Sequence, residues 1–189
     1  MQALTAFILA GGKSLRLGRD KAFAILGKQT LLRRALETAR EVTPNVVIVG
    51  ASKKFAAFGQ VVEDIYTDRG PLAGIHAALR SSATELNLIL AVDLPHVSVE
   101  LMRYLVAQAQ ASTALVTLPQ TSDGWQPLCA VYRKAFAETA ELALQQNQNA
   151  IHPLVEISAP CIIDEAGLER EGFSLKMFHN INTESDLLV

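Results

Sequence analysis

Cysteine is scarce in this chain: Cys129 and Cys161 stand alone among 189 residues, with no C-x-x-C pair and no neighbouring histidines. A disulfide framework and a zinc site are therefore not indicated, and both thiols are expected to be buried and free. Charge of one sign is also missing. Seventeen Lys and Arg are opposed by 19 Asp and Glu, and the basic residues are spread along the chain. Nothing resembles the basic footprint of a nucleic-acid or membrane-surface binder, so small molecules or proteins are the expected partners. No apolar run approaches the ~20 residues that span a bilayer, and no basic segment precedes the first apolar residues. A cytoplasmic location without membrane contact is the expectation.

The familiar phosphate motifs are absent too. A P-loop ending at Gly12-Lys13-Ser14 would need glycine at Phe7, and no G-x-G-x-x-G follows the first strand. What stands there instead is Leu9-Ala10-Gly11-Gly12-Lys13-Ser14-Leu15-Arg16-Leu17-Gly18-Arg19-Asp20-Lys21, directly after the apolar run Ala6 to Leu9. Paired Gly11 and Gly12 permit positive φ and close approach of backbone N–H groups to a phosphate chain, with Arg16 and Lys21 as compensating cations. On these residues alone, a turn with conformational glycines and solvated cations explains the stretch equally well.

Half of the residues are apolar, enough for one sizeable core, and a single α/β domain over residues 1–189 is expected. Thr30 heads a helical pattern through Leu31, Leu32, Ala35, Leu36, Ala39 and Val42, which Pro44 ends. Val46–Val49 reads as a strand, Ser52 as the cap of a short helix containing Phe55 and Phe58, and Val61-Val62 as a third strand. Gly70-Pro71 leads to a helix expected from about Ile75 to Ser81. Leu88 to Val92 is an uninterrupted apolar strand ending in Asp93-Leu94-Pro95, which puts Asp93 at a carboxyl end, where open α/β sheets bind ligands. A turn-forming carboxylate is the simpler alternative there. Ser98 caps the next helix, strands follow at Ala114 to Leu118 and Cys129 to Tyr132, and a helix runs through Phe136 and Leu144. Trp125 suits either stacking on a ring ligand or partial burial, and Asp164 to Gly172 reads as a charged loop. Asn180 and Asn182 flank Ile181 and share one side of an extended segment before a last short helix.

Four segments together, Leu9 to Lys21, Asp64 with Gly70 to Gly74, Asp93-Leu94-Pro95, and Asn180-Ile181-Asn182-Thr183, resemble the molybdenum cofactor guanylyltransferases, a family of small nucleotidyltransferases. They span nearly the whole chain. The resemblance implies a Rossmann-like three-layer sandwich with a mostly parallel sheet, an N-terminal part that binds nucleotide and a C-terminal part that binds the acceptor. It further implies that GMP passes from GTP to molybdopterin or molybdenum cofactor, releasing pyrophosphate, with Mg²⁺ required. Leu9, Ala10, Gly11 and Gly12 would lie at the nucleotide, Lys21 at its phosphates, Asp64 against GTP and Asp93 on the metal. Arg16, Lys21 and Asp93 would be the catalytic set, and Asn180 and Asn182 would meet the pterin. Other cofactor-biosynthesis proteins or recipient molybdoenzymes are the implied protein partners. One departure stands out, since Val49 and Gly50 occupy a region where the family often has an asparagine near the base. A cytidylyl or sugar-phosphate nucleotidyltransferase, and a non-catalytic GTP-binding cofactor chaperone, are the rival readings.

Overall fold

The computed structural model describes residues 3–11, 20–183 and 185–187. Three apolar stretches, Leu4–Leu9 (β1), Val46–Val49 (β4) and Leu86–Ala91 (β6), form the parallel centre of the sheet, with Leu9 paired to Val49 on one side and Ala91 on the other. Between β1 and β4 the chain forms a small antiparallel pair, Ile25–Leu26 (β2) with Gln29–Thr30 (β3), turning at Gly27, whose φ of 65° suits glycine. Helix α1 (Leu31–Arg40) starts where Thr30 accepts from the Arg33 N–H. It stops short of Pro44, so Val42 packs on the core from the following turn.

Beyond β4 come α2 (Ser52–Phe55), β5 (Gln60–Val62), α3 (Pro71–Ser81) and, after β6, α4 (Val99–Ala111). The second half supplies β7 (Val116–Thr121), β8 (Gly124–Trp125), β9 (Cys129–Arg133), α5 (Phe136–Gln145), α6 (Ile151–Ile157), β10 (Cys161–Ile163) and α7 (Glu165–Arg170). The main path of the sheet is β10-β7-β9-β6-β1-β4-β5, with β8 paired to β7. Strand β9 runs against both neighbours, while β10–β7, β6–β1, β1–β4 and β4–β5 are parallel. This is a mostly parallel α/β sheet.

Alternation along the central strands divides the core into two faces. Ala6, Ile8, Ile48, Leu88 and Leu90 pack with Leu32 and Leu36 of α1 and Leu101, Met102 and Leu105 of α4. Phe7, Leu9, Val47, Val49 and Ile89 pack with Leu72, Ile75 and Leu79 of α3 and Phe136 and Ala140 of α5. Each face removes long aliphatic side chains from water, a gain of roughly 1.5–3 kcal/mol per fully buried side chain.

Three local expectations are corrected. Helix α3 begins at Pro71, a turn before Ile75, because proline suits the first helical position and Gly70 makes the preceding turn at φ 70°. Residues expected to loop form α7, whose Asp164 accepts from the Gly167 N–H at 2.8 Å while Leu168 anchors the helix in the core. Ser52 is the first residue of α2, not its cap; its N–H donates to the Glu63 carboxylate at 2.6 Å, and Phe58 lies beyond the helix.

Candidate active site

Parallel strands β1, β4, β5 and β6 end at one rim, and an opening there of about 550 Å³ is lined by Leu9, Ala10 and Gly11, by Lys21, and by Asp64, Gly74 and Asp93. The size suits a nucleotide, in the range of ordinary small-ligand clefts. Gly70 and Pro71 at the start of α3 line it as well, and no side chain caps that helix end. The positive end of the helix dipole therefore faces the opening. Gly74 packs beside Leu9 and Asp64: a Cβ there would meet only ordinary contacts, 3.4 Å from Leu9 Cδ2 and 3.7 Å from Asp64 Oδ1. Burial pushes the Asp64 carboxyl above its ordinary range.

The conformational argument for Gly11 does not hold. Gly11 is absent from the positive-φ region, its N–H donates to the Val49 carbonyl at 3.2 Å beside that of Ala10 at 3.0 Å, and a Cβ would meet only ordinary contacts. The parallel ladder continues one step past β1 and consumes the donor. Glycine is required instead at Gly50, where a Cβ would fall 2.7 Å from the Phe55 ring. Gly12 and Arg16 lie outside the described residues.

Asp20 lines the same opening, and its carboxylate accepts from the Ala22 N–H at 3.1 Å and pairs with Lys54 of α2 at 2.8 Å. This fixes the single 3-10 turn Lys21–Phe23 and sets the root of the Lys21 side chain. Lys21 Nζ then donates to Asp93 Oδ2 at 3.0 Å and to Asn182 Oδ1 at 2.7 Å. Lys21 and Asp93 side chains are each 22 % exposed, screened from bulk water yet reachable. Asp93 follows β6 as expected, and its carbonyl accepts the Ile181 N–H at 2.9 Å, which binds the C-terminal segment to the strand end. Asp186 accepts the backbone N–H groups of Asn182 and Thr183, each at 2.8 Å, and these bonds hold its carboxyl below the usual range.

A second opening of about 830 Å³ adjoins the first; Asn180, Asn182, His179, Lys176, His96 and Trp125 line it, and Leu128 lines both. Trp125 is half-buried, and its ring stacks on the protein's own His152, with centroids 4.3 Å apart and planes 10° apart. Thus Leu9, Ala10, Gly11, Lys21, Asp64 and Asp93 gather at one cavity, Asn180 and Asn182 at the next, and Lys21 with Asn182 joins them. Lys54, Leu128 and His179 were not singled out by sequence. Lys54 sits on a four-residue helix with no motif around it, and Leu128 resembles any core leucine.

Among the described residues no cluster of three or more His, Cys, Asp or Glu could hold a metal by itself. The donor set still fits Mg²⁺, because Asp93 already takes a cationic partner and Mg²⁺ commonly uses one or two carboxylates with substrate phosphates and water. Cys129 is buried, its thiol pushed up to about 12, which removes it as a nucleophile; Cys161 is free and half-buried.

Fold and site together define a nucleotidyltransferase: a crevice at the carboxyl ends of a mostly parallel sheet, with a carboxylate and a lysine at its floor. The chain belongs to the family described as the MobA-like NTP transferase domain, whose model matches residues 6–157. It is 34% identical over 193 residues to the probable molybdenum cofactor guanylyltransferase of Pelotomaculum thermopropionicum, covering 100% of this chain and 92% of that protein. A molybdenum cofactor guanylyltransferase from Desulfosudis oleivorans is 33% identical, with 99% and 94% covered. Among solved structures, molybdopterin-guanine dinucleotide biosynthesis protein A from Archaeoglobus fulgidus superposes with a TM-score of 0.84 at 27% identity, over 97% of this chain and 95% of that one. The 2-C-methyl-D-erythritol 4-phosphate cytidylyltransferase of Thermus thermophilus, at 17% identity and a TM-score of 0.71 over 100% and 96%, shares the fold.

Proposed function

We propose that the enzyme transfers GMP from GTP to the phosphate of molybdopterin or its metal-loaded form, giving the guanine dinucleotide cofactor and pyrophosphate. The observation that carries this reading is the meeting of two cavities at Lys21, which touches Asp93 of the first and Asn182 of the second. A donor and an acceptor seated in them would bring their reacting groups to that junction, which is the positioning a two-substrate transfer needs. The residues before Asp93 serve the nucleotide and the C-terminal segment serves the acceptor, within one domain.

Base selection falls to Asp64. A carboxylate accepts from both the N1–H and the amino group of guanine, whereas cytosine offers one amino donor beside an unprotonated N3. Leu9, Ala10 and Gly11 form the wall around the base and sugar, with the amides of Ala10 and Gly11 committed to Val49. With Val49 and Gly50 where the family often has an asparagine, the Asp64 carboxylate takes on the polar reading of the base.

The acceptor phosphate is largely dianionic near neutral pH, with a second pKa near ~6, so the attacking oxygen needs no strong general base. Lys21 and Arg16 neutralise charge that grows on the phosphate chain as the bond to pyrophosphate breaks. Asp93 would hold Mg²⁺, which when bound supplies further charge neutralisation at the α-phosphate and orients it. Asn180 and Asn182 hold the pterin of the acceptor through neutral hydrogen bonds. A cytoplasmic setting, with delivery to recipient molybdoenzymes, completes the proposal; no described helix is long and apolar enough to cross a membrane. Incubation with molybdopterin, GTP and Mg²⁺ should yield equal amounts of pyrophosphate and a product heavier than the acceptor by one guanylyl group (GMP less water). Tight GTP binding without product would instead support a non-catalytic chaperone.

A further inference from the structure

A lysine ammonium donates three hydrogen bonds and accepts none. Lys21 spends two of the three on Asp93 and Asn182, so the Asn182 atom facing it at 2.7 Å must be the carbonyl oxygen. That fixes the carboxamide. Its NH₂ group is turned away from Lys21, bonds to none of the described residues, and remains for a ligand in the second cavity, which Asn182 also lines. The backbone behind the carboxamide is held as well, by Asp186 on the Asn182 N–H and by Asp93 on the Ile181 N–H. Asn180 is exposed and lacks any such tie among the described residues. The two asparagines are therefore unequal.

We propose that Asn182 is a positioning residue for Lys21, setting the ammonium in the nucleotide cavity, and that the chain Asn182–Lys21–Asp93 couples the two substrates' affinities. The proposal rests on the reading above in taking the nucleotide to be GTP and the second cavity to hold the acceptor. An acceptor that bonds the Asn182 NH₂ restrains the carboxamide plane, and its opposite end then restrains Lys21 against the phosphates. Coupling of this kind is reciprocal in the binding free energies.

The test is GTP affinity measured by calorimetry with Mg²⁺ and no acceptor present, so that turnover plays no part. Asn182→Ala should weaken GTP binding about fivefold, at the lower end of typical coupling. In a Lys21→Met background the same change should have no further effect beyond about twofold, because the group it positions is gone. Should Asn182→Ala fail to fold, Asn182→Ser replaces it, its hydroxyl being too short to hold Lys21. Wild-type GTP affinity in the truncated variant, or losses that simply multiply in the double variant, would overturn the proposal. GTP binding without GMP transfer would defeat the proposed reaction and leave this inference standing; no GTP binding at all would defeat both.

Discussion

The two ends of the central strands carry polar side chains in opposite conditions. At the amino end Thr5, Ser82, Thr84 and Asn87 are all buried and bond to one another: Thr84 to Thr5 at 2.9 Å, Ser82 to Asn87 at 2.5 Å, and the Asn87 amide to the carbonyls of Thr84, Glu85 and Tyr132. At the carboxyl end Lys21 and Asp93 are partly exposed, and among the described residues their pairing leaves one ammonium donor and carboxylate lone pairs in reserve. One network is saturated and dry, so it specifies how the strands and α3 come together. The other is partly exposed, so a ligand can take over its bonds. Changes at the first end should cost stability with little effect on chemistry, and changes at the second should do the reverse.

The largest expected effect belongs to Asp93→Ala. Removing a transition-state electrostatic contact typically costs ~2.7–4 kcal/mol, so kcat should fall ~10²–10³-fold while the melting temperature stays near wild type. Turnover near normal at limiting Mg²⁺ would remove Asp93 from the metal. Asn87→Leu attacks the other end: it strips partners from Ser82 and Thr84 inside the protein, and each buried group left unsatisfied costs about 1–3 kcal/mol. Denaturant unfolding should show that loss, with kcat of the folded fraction unchanged; a kinetic defect of similar size would blur the contrast.

Asn180→Ala should raise the acceptor KM roughly tenfold with kcat little changed, the signature of a contact made equally in ground and transition states. Steady-state kinetics at saturating GTP measures it. The smallest effect is expected at His76 on α3, which is buried with both ring nitrogens lacking hydrogen-bond partners, 3.9 Å from the Glu141 carboxylate. Burial outweighs that carboxylate and lowers its pKa from 6.5, so the unfolded chain binds the proton first as pH falls. Stability should therefore decline as pH drops below about 6.5, and His76→Phe should flatten this part of the melting profile.

How much of this was legible in the sequence differs between the same two ends. Strands β1, β4 and β6 announced themselves by unbroken apolar runs, and Asp93 followed from lying where such a run stops. The start of α3 and the whole of α7 were hidden because Pro71 reads as a breaker and α7 has a single buried apolar residue, Leu168, too few to show a period. The amino-end network passed unnoticed, since Asn87 and Thr84 resemble ordinary turn residues until the strands surround them. Lys21 and Asn182 each stood out in the sequence as candidates, but their bond spans 161 positions and depends on the docking of the last segment against β6. Lys54 carried no local signal at all.

The most direct test of the account is the ratio of kcat/KM for GTP to that for CTP with molybdopterin as acceptor, followed by pyrophosphate release with Mg²⁺ present. A carboxylate at Asp64 that bonds the guanine edge, and is left poorly paired by cytosine, predicts a ratio of at least about a hundredfold in favour of GTP. Equal rates, or a preference for CTP, would contradict it.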